Sequence, residues 1–131
     1  MQISELALNT AEILDNKKAD DITILDVRGL TIVSDYFIVA SATNVNHVRT
    51  LAEEVEDKLG QVGLRPLRTE GKEEGRWVVL DYGDLLVHIF HTKEREFYQL
   101  ERLWKVDGNF LDFSEEQEKI RKEKAEARSA G

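Results

Sequence analysis

The chain has 131 residues, of which 41% are hydrophobic and 34% charged, and it contains no cysteine. This length corresponds to about one domain with a buried core, and the lack of cysteine excludes disulfides, thiolate zinc sites and iron–sulfur clusters. The net charge of −8 disfavours direct contact with nucleic acid, because nucleic-acid binders gain affinity by neutralising phosphates with basic residues. The apolar runs are too short to cross a bilayer and no secretory signal is recognisable, so we expect a cytoplasmic protein without a membrane partner.

The surplus of acidic residues lies in the first 114 positions, since residues 115–131 contain five acids and five bases. An acidic surface of this kind would attract a basic partner and speed its association at low salt. The alternative explanation is that the acidic charge only keeps the protein soluble. Composition does not distinguish between these two explanations.

Apolar residues recur at helical spacing from Ile3 to Leu14, which predicts an opening helix that ends near Lys18. Residues 21–27 and 35–41 are rich in Ile and Val and predict two strands. Their apolar runs are nearly continuous. This pattern indicates strands buried on both faces, or covered by helices on one face and by a partner or a loop on the other.

A second helix is predicted to follow Asn44, whose side-chain oxygen is suited to cap its first turn. The apolar stripe of this helix runs from Val45 to Leu59. Two glycines after the stripe, Gly60 and Gly63, mark the exit of the helix because they tolerate the left-handed conformation.

The segment after this helix predicts edge strands and a hairpin. Residues 64–69 predict a short strand, and Pro66 places it at a sheet edge or marks its start. The polar segment 70–75 is bracketed by glycine and predicts a mobile loop. Residues 76–81 and 85–91 predict two strands joined as a hairpin.

Residues 93–104 predict a further helix with Phe97, Leu100, Leu103 and Trp104 on one apolar stripe. The order of elements is then helix, strand, strand, helix, three strands and a helix. This order predicts a single α/β domain, built on a mixed sheet of about five strands flanked by helices.

The last part of the chain differs in composition. Ser114 and Gln117 have the spacing of a capping box, and the residues after them are mostly charged. We therefore expect one domain at 1–113 and a charged C-terminal tail at 114–131 that is a frayed helix or disordered.

Tests for catalytic chemistry find little support for an enzyme. His88 and His91 would point to opposite faces of one strand, so they cannot bind one metal ion together. Asp81 and Asp84 flank a turn and would suit Mg²⁺ or acid–base chemistry, but the sequence lacks a glycine-rich phosphate loop. Aspartate also favours turns for structural reasons, which is our preferred explanation of Asp84. No serine lies in a nucleophile motif.

A binding surface is the alternative to an active site. Along strand 76–81 the aliphatic Val78 and Leu80 alternate with Trp77, Val79 and Asp81. An exposed Trp77 surrounded by carboxylates would have the composition of an interface hot spot. The competing explanation is that helix 93–104 packs over Trp77 and makes it part of the core.

Four ordered motifs carry a resemblance to a known family. They are D-I-x-x-L-D, S-D-Y-F, W-x-x-L-D-Y-G-D-x-x-V-H-x-F and R-x-F-Y-x-L-E-x-L-W. Together they closely resemble the ribosomal silencing factor family, also called Iojap, over residues 6–104. The resemblance implies a nucleotidyltransferase-like fold that has lost its catalytic signature, with no cofactor and no metal.

The resemblance also implies a function. Members of this family bind a basic protein of the large ribosomal subunit, the fourteenth in the large-subunit series, at the face that meets the small subunit. Binding there sterically blocks subunit joining and represses translation when nutrients are limiting, and free members tend to form homodimers. The alternatives are a large-subunit assembly factor and a residual Mg-dependent nucleotidyltransferase.

Positions that match the family motifs are the expected contacts with the ribosomal protein. They lie in the W-x-x-L-D-Y-G-D-x-x-V-H stretch, in the E-G pair and in the R-x-F-Y motif. These residues are Glu70, Trp77, Asp81, Tyr82, Asp84, His88 and Tyr98.

Overall fold

The structure, a computed structural model, describes residues 3–130 of the chain. The elements follow one another as α1 (Glu5–Asn16), β1 (Asp20–Asp26), β2 (Tyr36–Ala42), α2 (Val45–Gln61), β3 (Arg68–Glu70), β4 (Trp77–Asp81), β5 (Leu85–His91), α3 (Thr92–Tyr98), α4 (Leu100–Trp104), β6 (Phe110–Asp112) and α5 (Phe113–Ala130). No helix within the described residues is long and apolar enough to span a membrane.

The described strands form one sheet in the order β3, β4, β5, β2, β1, β6. β2 and β5 run parallel at its centre, whereas the other neighbouring strands run antiparallel. This confirms the predicted α/β fold with a mixed sheet flanked by helices. The sheet has six strands and not about five, because the three-residue β6 is too short to produce a recognisable alternating pattern.

The main core lies between one face of the sheet and helices α1, α2 and the start of α5. A smaller second core lies on the opposite face. It consists of Leu25, Val27, Phe37, Val39, Leu86 and Phe90. Its cover is made of the partly buried Trp77, Val79, Leu100 and Trp104. The central strands are therefore buried on both faces, which explains their continuous apolar runs.

Side-chain caps fix the starts of the first two helices. The Ser4 hydroxyl accepts a hydrogen bond from the Ala7 backbone N–H at 3.1 Å at the start of α1. The Asn44 side chain accepts one from the His47 N–H at 2.8 Å, so the predicted cap of α2 is confirmed. Both helices then direct their apolar stripes into the main core.

The region before the hairpin differs from the prediction in two ways. β3 covers only Arg68–Glu70 at the sheet edge, because the chain at Pro66 has not yet entered the ladder. The segment 70–75, predicted as a mobile loop, is tied to α2, since the Arg49 guanidinium donates to the carbonyl oxygens of Lys72 and Glu73. At Gly71 an added Cβ would lie 2.0 Å from the backbone oxygen of residue 77, so only glycine fits there.

The single helix predicted for residues 93–104 is wrong, because the chain forms two short helices. Gln99 adopts a left-handed conformation with φ of 47°, which ends α3 and begins α4. The break rotates the two halves relative to one another. Leu100 and Trp104 consequently pack on the second core, whereas Phe97 and Leu103 point to solvent.

The C-terminal segment forms helix α5, whose first turn is anchored to the domain. Phe113 is buried in the main core, and the Ser114 hydroxyl accepts a hydrogen bond from the Ile22 N–H at 2.8 Å. The predicted capping box is therefore wrong, since α5 begins before Ser114 and the hydroxyl is used by β1. Arg121 pairs with Asp15 of α1. The division into a domain and a tail at residue 113 stays a prediction.

Replacing Phe113 with alanine should destabilise the fold strongly. The substitution leaves a cavity where α5 meets the main core, and we expect a loss of about 3 kcal/mol or more in the free energy of unfolding. Urea unfolding measures this change.

The matched control is Phe97→Ala, because this phenylalanine is 79% exposed. Its loss should cost less than about 1 kcal/mol, as expected of a surface substitution. Equal costs at the two positions would contradict the anchoring of α5.

Candidate protein-binding surface

The predicted hairpin is confirmed and divides its side chains between two faces. β4 pairs antiparallel with β5, with Trp77 opposite Phe90 and Asp81 opposite Leu86. Val78 and Leu80 enter the main core, whereas Trp77 and Val79 lie over the second core. The alternation along β4 therefore places a tryptophan on the face that α1 and α2 leave uncovered.

Trp77 is half-buried at the edge of the second core. Its ring stacks on Phe90 with centroids 4.8 Å apart and an interplanar angle of 27°. Tyr98 of α3 packs against the indole at 5.0 Å, so the helix covers part of the ring and leaves part of it accessible. The structure thus lies between the two predicted alternatives, an exposed Trp77 and a fully covered one.

His88 is buried behind Trp77 and holds the indole in place. The Trp77 Nε1–H donates to His88 Nδ1 at 3.1 Å, and Phe37 packs edge-on against the imidazole at 5.3 Å. Burial lowers the pKa of His88 to about 4, so the ring is neutral at pH 7. Because Nδ1 accepts, the ring proton lies on Nε2, which has no hydrogen-bond partner among residues 3–130. His88 is only 5% exposed, so the structure shows it holding Trp77 in place, and its contact with the ribosomal protein stays a prediction.

The two aspartates of the hairpin have different roles. Asp81 Oδ1 accepts from the Gly83 N–H at 2.8 Å, so the turn role predicted for Asp84 belongs to Asp81. The Asp84 side chain is exposed, and its backbone oxygen accepts from the N–H groups of Asp35 and Tyr36. Within residues 3–130, no three His, Asp or Glu side chains are grouped so that they could hold a metal ion.

Glu70 lies at the sheet edge, where β3 pairs it with Val79 of β4. Its side chain is exposed and lies 3.5 Å from the Arg68 guanidinium, which also approaches Asp81 at 3.7 Å. Arg68 therefore partly compensates two of the predicted contact carboxylates. Sequence reasoning missed this because the strand register that brings the three residues together was unknown.

Tyr82 is separated from the other candidate residues. It packs against the main core on the side of α2, away from Trp77. Burial, together with the nearby Glu56, raises the pKa of Tyr82 to about 12, and its hydroxyl has no partner in the described chain. The structure therefore does not bring Tyr82 together with Trp77, although both belong to one sequence motif.

Tyr98 is 49% exposed and extends the aromatic surface outward from Trp77. Phe97 contacts Tyr98 edge-on at 5.0 Å and was not predicted as a contact, because the assumption of one continuous helix placed it on the buried stripe. No signal in the sequence indicated the break at Gln99. We call the surface formed by these residues the Trp77 face, and it consists of Glu70, Trp77, Val79, Asp81, Phe97 and Tyr98.

The fold and the Trp77 face together define an α/β domain with a sheet packed on both sides and an aromatic surface at one edge. The chain belongs to the family described as ribosomal silencing factor during starvation, whose model matches residues 1–131. The resemblance carried by the ordered motifs is thereby confirmed, and the match also includes the C-terminal segment.

Individual relatives show the same similarity. The ribosomal silencing factor RsfS of Bacillus subtilis is 41% identical over 90 residues, which are 69% of this chain and 76% of the relative. The protein of the same name from Halalkalibacterium halodurans is 35% identical over 103 residues, which are 79% of this chain and 86% of the relative. A mouse protein named mitochondrial assembly of ribosomal large subunit protein 1 is 27% identical over 95 residues, which are 70% of this chain and 42% of the mouse protein.

Two crystal structures have similar folds. A protein from Chromobacterium violaceum superposes with a TM-score of 0.76 at 34% identity, covering 83% of this chain and 92% of that chain. A protein from Bacillus halodurans superposes with a TM-score of 0.66 at 36% identity, covering 76% of this chain and 90% of that chain. Both similarities support the mixed-sheet architecture.

The stability of the fold should depend on His88 between pH 6.5 and 4. The pKa of His88 falls from 6.5 to about 4 on folding, so the unfolded chain takes up the proton first as the pH drops. The stabilisation that comes from burying neutral His88 is complete above pH 6.5. The free energy of unfolding should fall by roughly 3 kcal/mol as the pH decreases to about 4. Urea unfolding at several pH values measures this loss.

A His88→Phe variant is the control, since phenylalanine keeps the packing on Phe37 and cannot titrate. Between pH 6.5 and 4, the decrease in its free energy of unfolding should be roughly 3 kcal/mol smaller than that of the unmodified protein. An identical pH dependence in both proteins would show that His88 is not buried in its neutral form.

Proposed function

We propose that the protein silences ribosomes by binding the large ribosomal subunit and blocking its union with the small subunit. The contact is a basic ribosomal protein, the fourteenth in the large-subunit series, at the intersubunit face. The mechanism is steric exclusion, and it represses translation when nutrients are limiting. Family membership supports the ribosomal role, and the observation that carries the binding mode is the half-buried Trp77 extended by the exposed Tyr98.

The composition of the Trp77 face fits a basic protein partner. Large aromatic side chains supply contact area at a low cost in conformational entropy, and Trp and Tyr dominate interface hot spots. Glu70 and Asp84 place exposed carboxylates near the hairpin, and the whole chain has a net charge of −8. A cationic protein surface is therefore favoured over nucleic acid, and association should be faster at low salt.

A non-enzymatic mechanism agrees with the chemistry of the hairpin. Asp81 is engaged in the turn and approached by Arg68, which makes it a poor general base or metal ligand. Relatives are named as silencing factors. We further propose that the free protein is a cytoplasmic homodimer, and the nucleotidyltransferase-like ancestry implied by the resemblance stays a prediction.

The direct test is the joining of purified ribosomal subunits, measured by sedimentation with and without the protein. Saturating protein should keep the large and small subunits apart at a Mg²⁺ concentration where they otherwise join. Joining at the normal rate under these conditions would refute steric exclusion.

Trp77→Ala should weaken binding to the large subunit by about 2 kcal/mol, or roughly 30-fold, because it removes the centre of the Trp77 face. The affinity is measured by cosedimentation with purified large subunits. Tyr98→Ala is the companion variant, since Tyr98 contributes to the same surface without accepting or donating to His88. Thermal unfolding verifies that both variants fold, and full-strength binding by both would remove the Trp77 face from the interface.

A role in assembly of the large subunit is the second candidate. It is favoured by the mouse relative, whose name describes mitochondrial assembly of the large subunit. Depletion of the protein from growing cells separates the two functions. If the protein acts in assembly, depleted cells should accumulate precursor particles of the large subunit. If it acts in silencing, depleted cells should contain an excess of joined ribosomes when starved.

A further inference from the structure

The loop between β1 and β2, residues 27–35, presents an apolar tip that the fold does not use. Leu30, Ile32 and Val33 are 45%, 104% and 57% exposed. Single exposed apolar residues are common on protein surfaces, but three within four positions of one loop form a patch. Ile32 is fully exposed within the described chain, and Leu30 and Val33 are only partly covered.

The base of the loop is held firmly by backbone hydrogen bonds. The Val27 N–H donates to the Asp35 oxygen at 2.9 Å, and the N–H groups of Leu30 and Thr31 donate back to the Val27 oxygen. The Ser34 hydroxyl is buried and donates to the Tyr36 oxygen at 3.2 Å. The apolar tip is therefore displayed on an ordered base, which lowers the entropic cost of binding.

The acidic side chains beside the tip fall into two groups. Asp26 is neutralised by a two-point pair with Arg28, at 3.0 and 2.7 Å. Asp35 and Asp84 are both exposed, and no ion pair to either carboxylate occurs among residues 3–130. The Asp35 N–H donates to the Asp84 oxygen at 3.1 Å, which joins the loop to the hairpin turn. The Arg28 guanidinium also interacts electrostatically with Asp35. The three carboxylates and one guanidinium still leave a net negative charge at the base of the loop.

The loop is bonded to the hairpin turn, which follows the Asp81 end of the Trp77 face. Trp77 lies at one end of β4 and Asp81 at the other, a distance of about 13 Å along the strand. A stable protein interface buries about 800 Å² on each partner, so a half-buried tryptophan needs further contacts around it. A second contact beyond the hairpin turn would complete such an interface.

We infer that the β1–β2 loop is a second anchor for the basic partner, with Ile32 and Val33 entering an apolar pocket flanked by Lys or Arg. This inference rests on the proposed function, because it assigns a further contact to the same partner. The exposed carboxylates of Asp35 and Asp84 favour a cationic rim over the anionic surface of RNA. A second copy docked through the same loop would bring its own Asp35 and Asp84 close to these carboxylates, and this local repulsion disfavours a second copy as the occupant of the tip.

The test compares two double variants in cosedimentation with purified large ribosomal subunits. Ile32→Ser with Val33→Ser should bind at least about tenfold more weakly than the unmodified protein. Val62→Ser with Leu64→Ser is the matched control, since both side chains are exposed on the connection after α2. The control should bind within about twofold of the unmodified protein, and thermal unfolding of both variants verifies their folds.

A charge substitution tests the cationic rim separately. Asp35→Lys should slow association with the large subunit several-fold and reduce its salt dependence, whereas Asp57→Lys on α2 should leave both unchanged.

The outcomes distinguish the two proposals. Normal binding by the loop variant, together with weak binding by Trp77→Ala, would overturn the second anchor and leave the proposed function standing. A loop variant that loses self-association and keeps subunit binding would overturn it in favour of a contact between copies. Failure of the unmodified protein to bind large subunits would overturn both.

Discussion

The parallel pairing of β2 with β5 is the constraint on which the rest of the structure depends. Parallel neighbours cannot be joined by a tight turn, so the chain between them must cross over the sheet. Here the crossover contains α2, β3 and β4, and α2 packs on the face that also holds α1. The chain after β5 then covers the other face with the two short helices α3 and α4.

This second face determines the character of the proposed binding surface. The two short helices cover the second core only in part, so β4, which lies between the edge strand β3 and β5, keeps part of one face accessible. Trp77 is fixed there from behind by the His88 imidazole and from the side by Tyr98. A ring held in this way is pre-organised for contact, because little rotamer freedom remains to be lost when a partner binds. The buried histidine holds the indole in place from within the sheet.

The proposed mode of action requires no chemistry, only a well-placed and rigid obstruction. Exclusion by steric overlap works when the domain is held in one orientation, and two separated contacts fix an orientation better than one. The aromatic surface and the β1–β2 loop lie toward opposite ends of the hairpin strands, with exposed carboxylates between and beside them. Two separated contacts of this kind would prevent the domain from rotating on a cationic partner. A single aromatic contact would not.

The sequence by itself determined the class of fold, the family, the cap at Asn44 and the two-faced character of the hairpin, because these follow from local periodicity and motif order. Only the tertiary structure decided the break at Gln99, the exposure of Phe97, the burial of His88 and the separation of Tyr82 from Trp77. Each of these depends on contacts between residues far apart in the chain. Periodicity shows which side chains share a face, but the packing of other elements decides which part of that face reaches solvent.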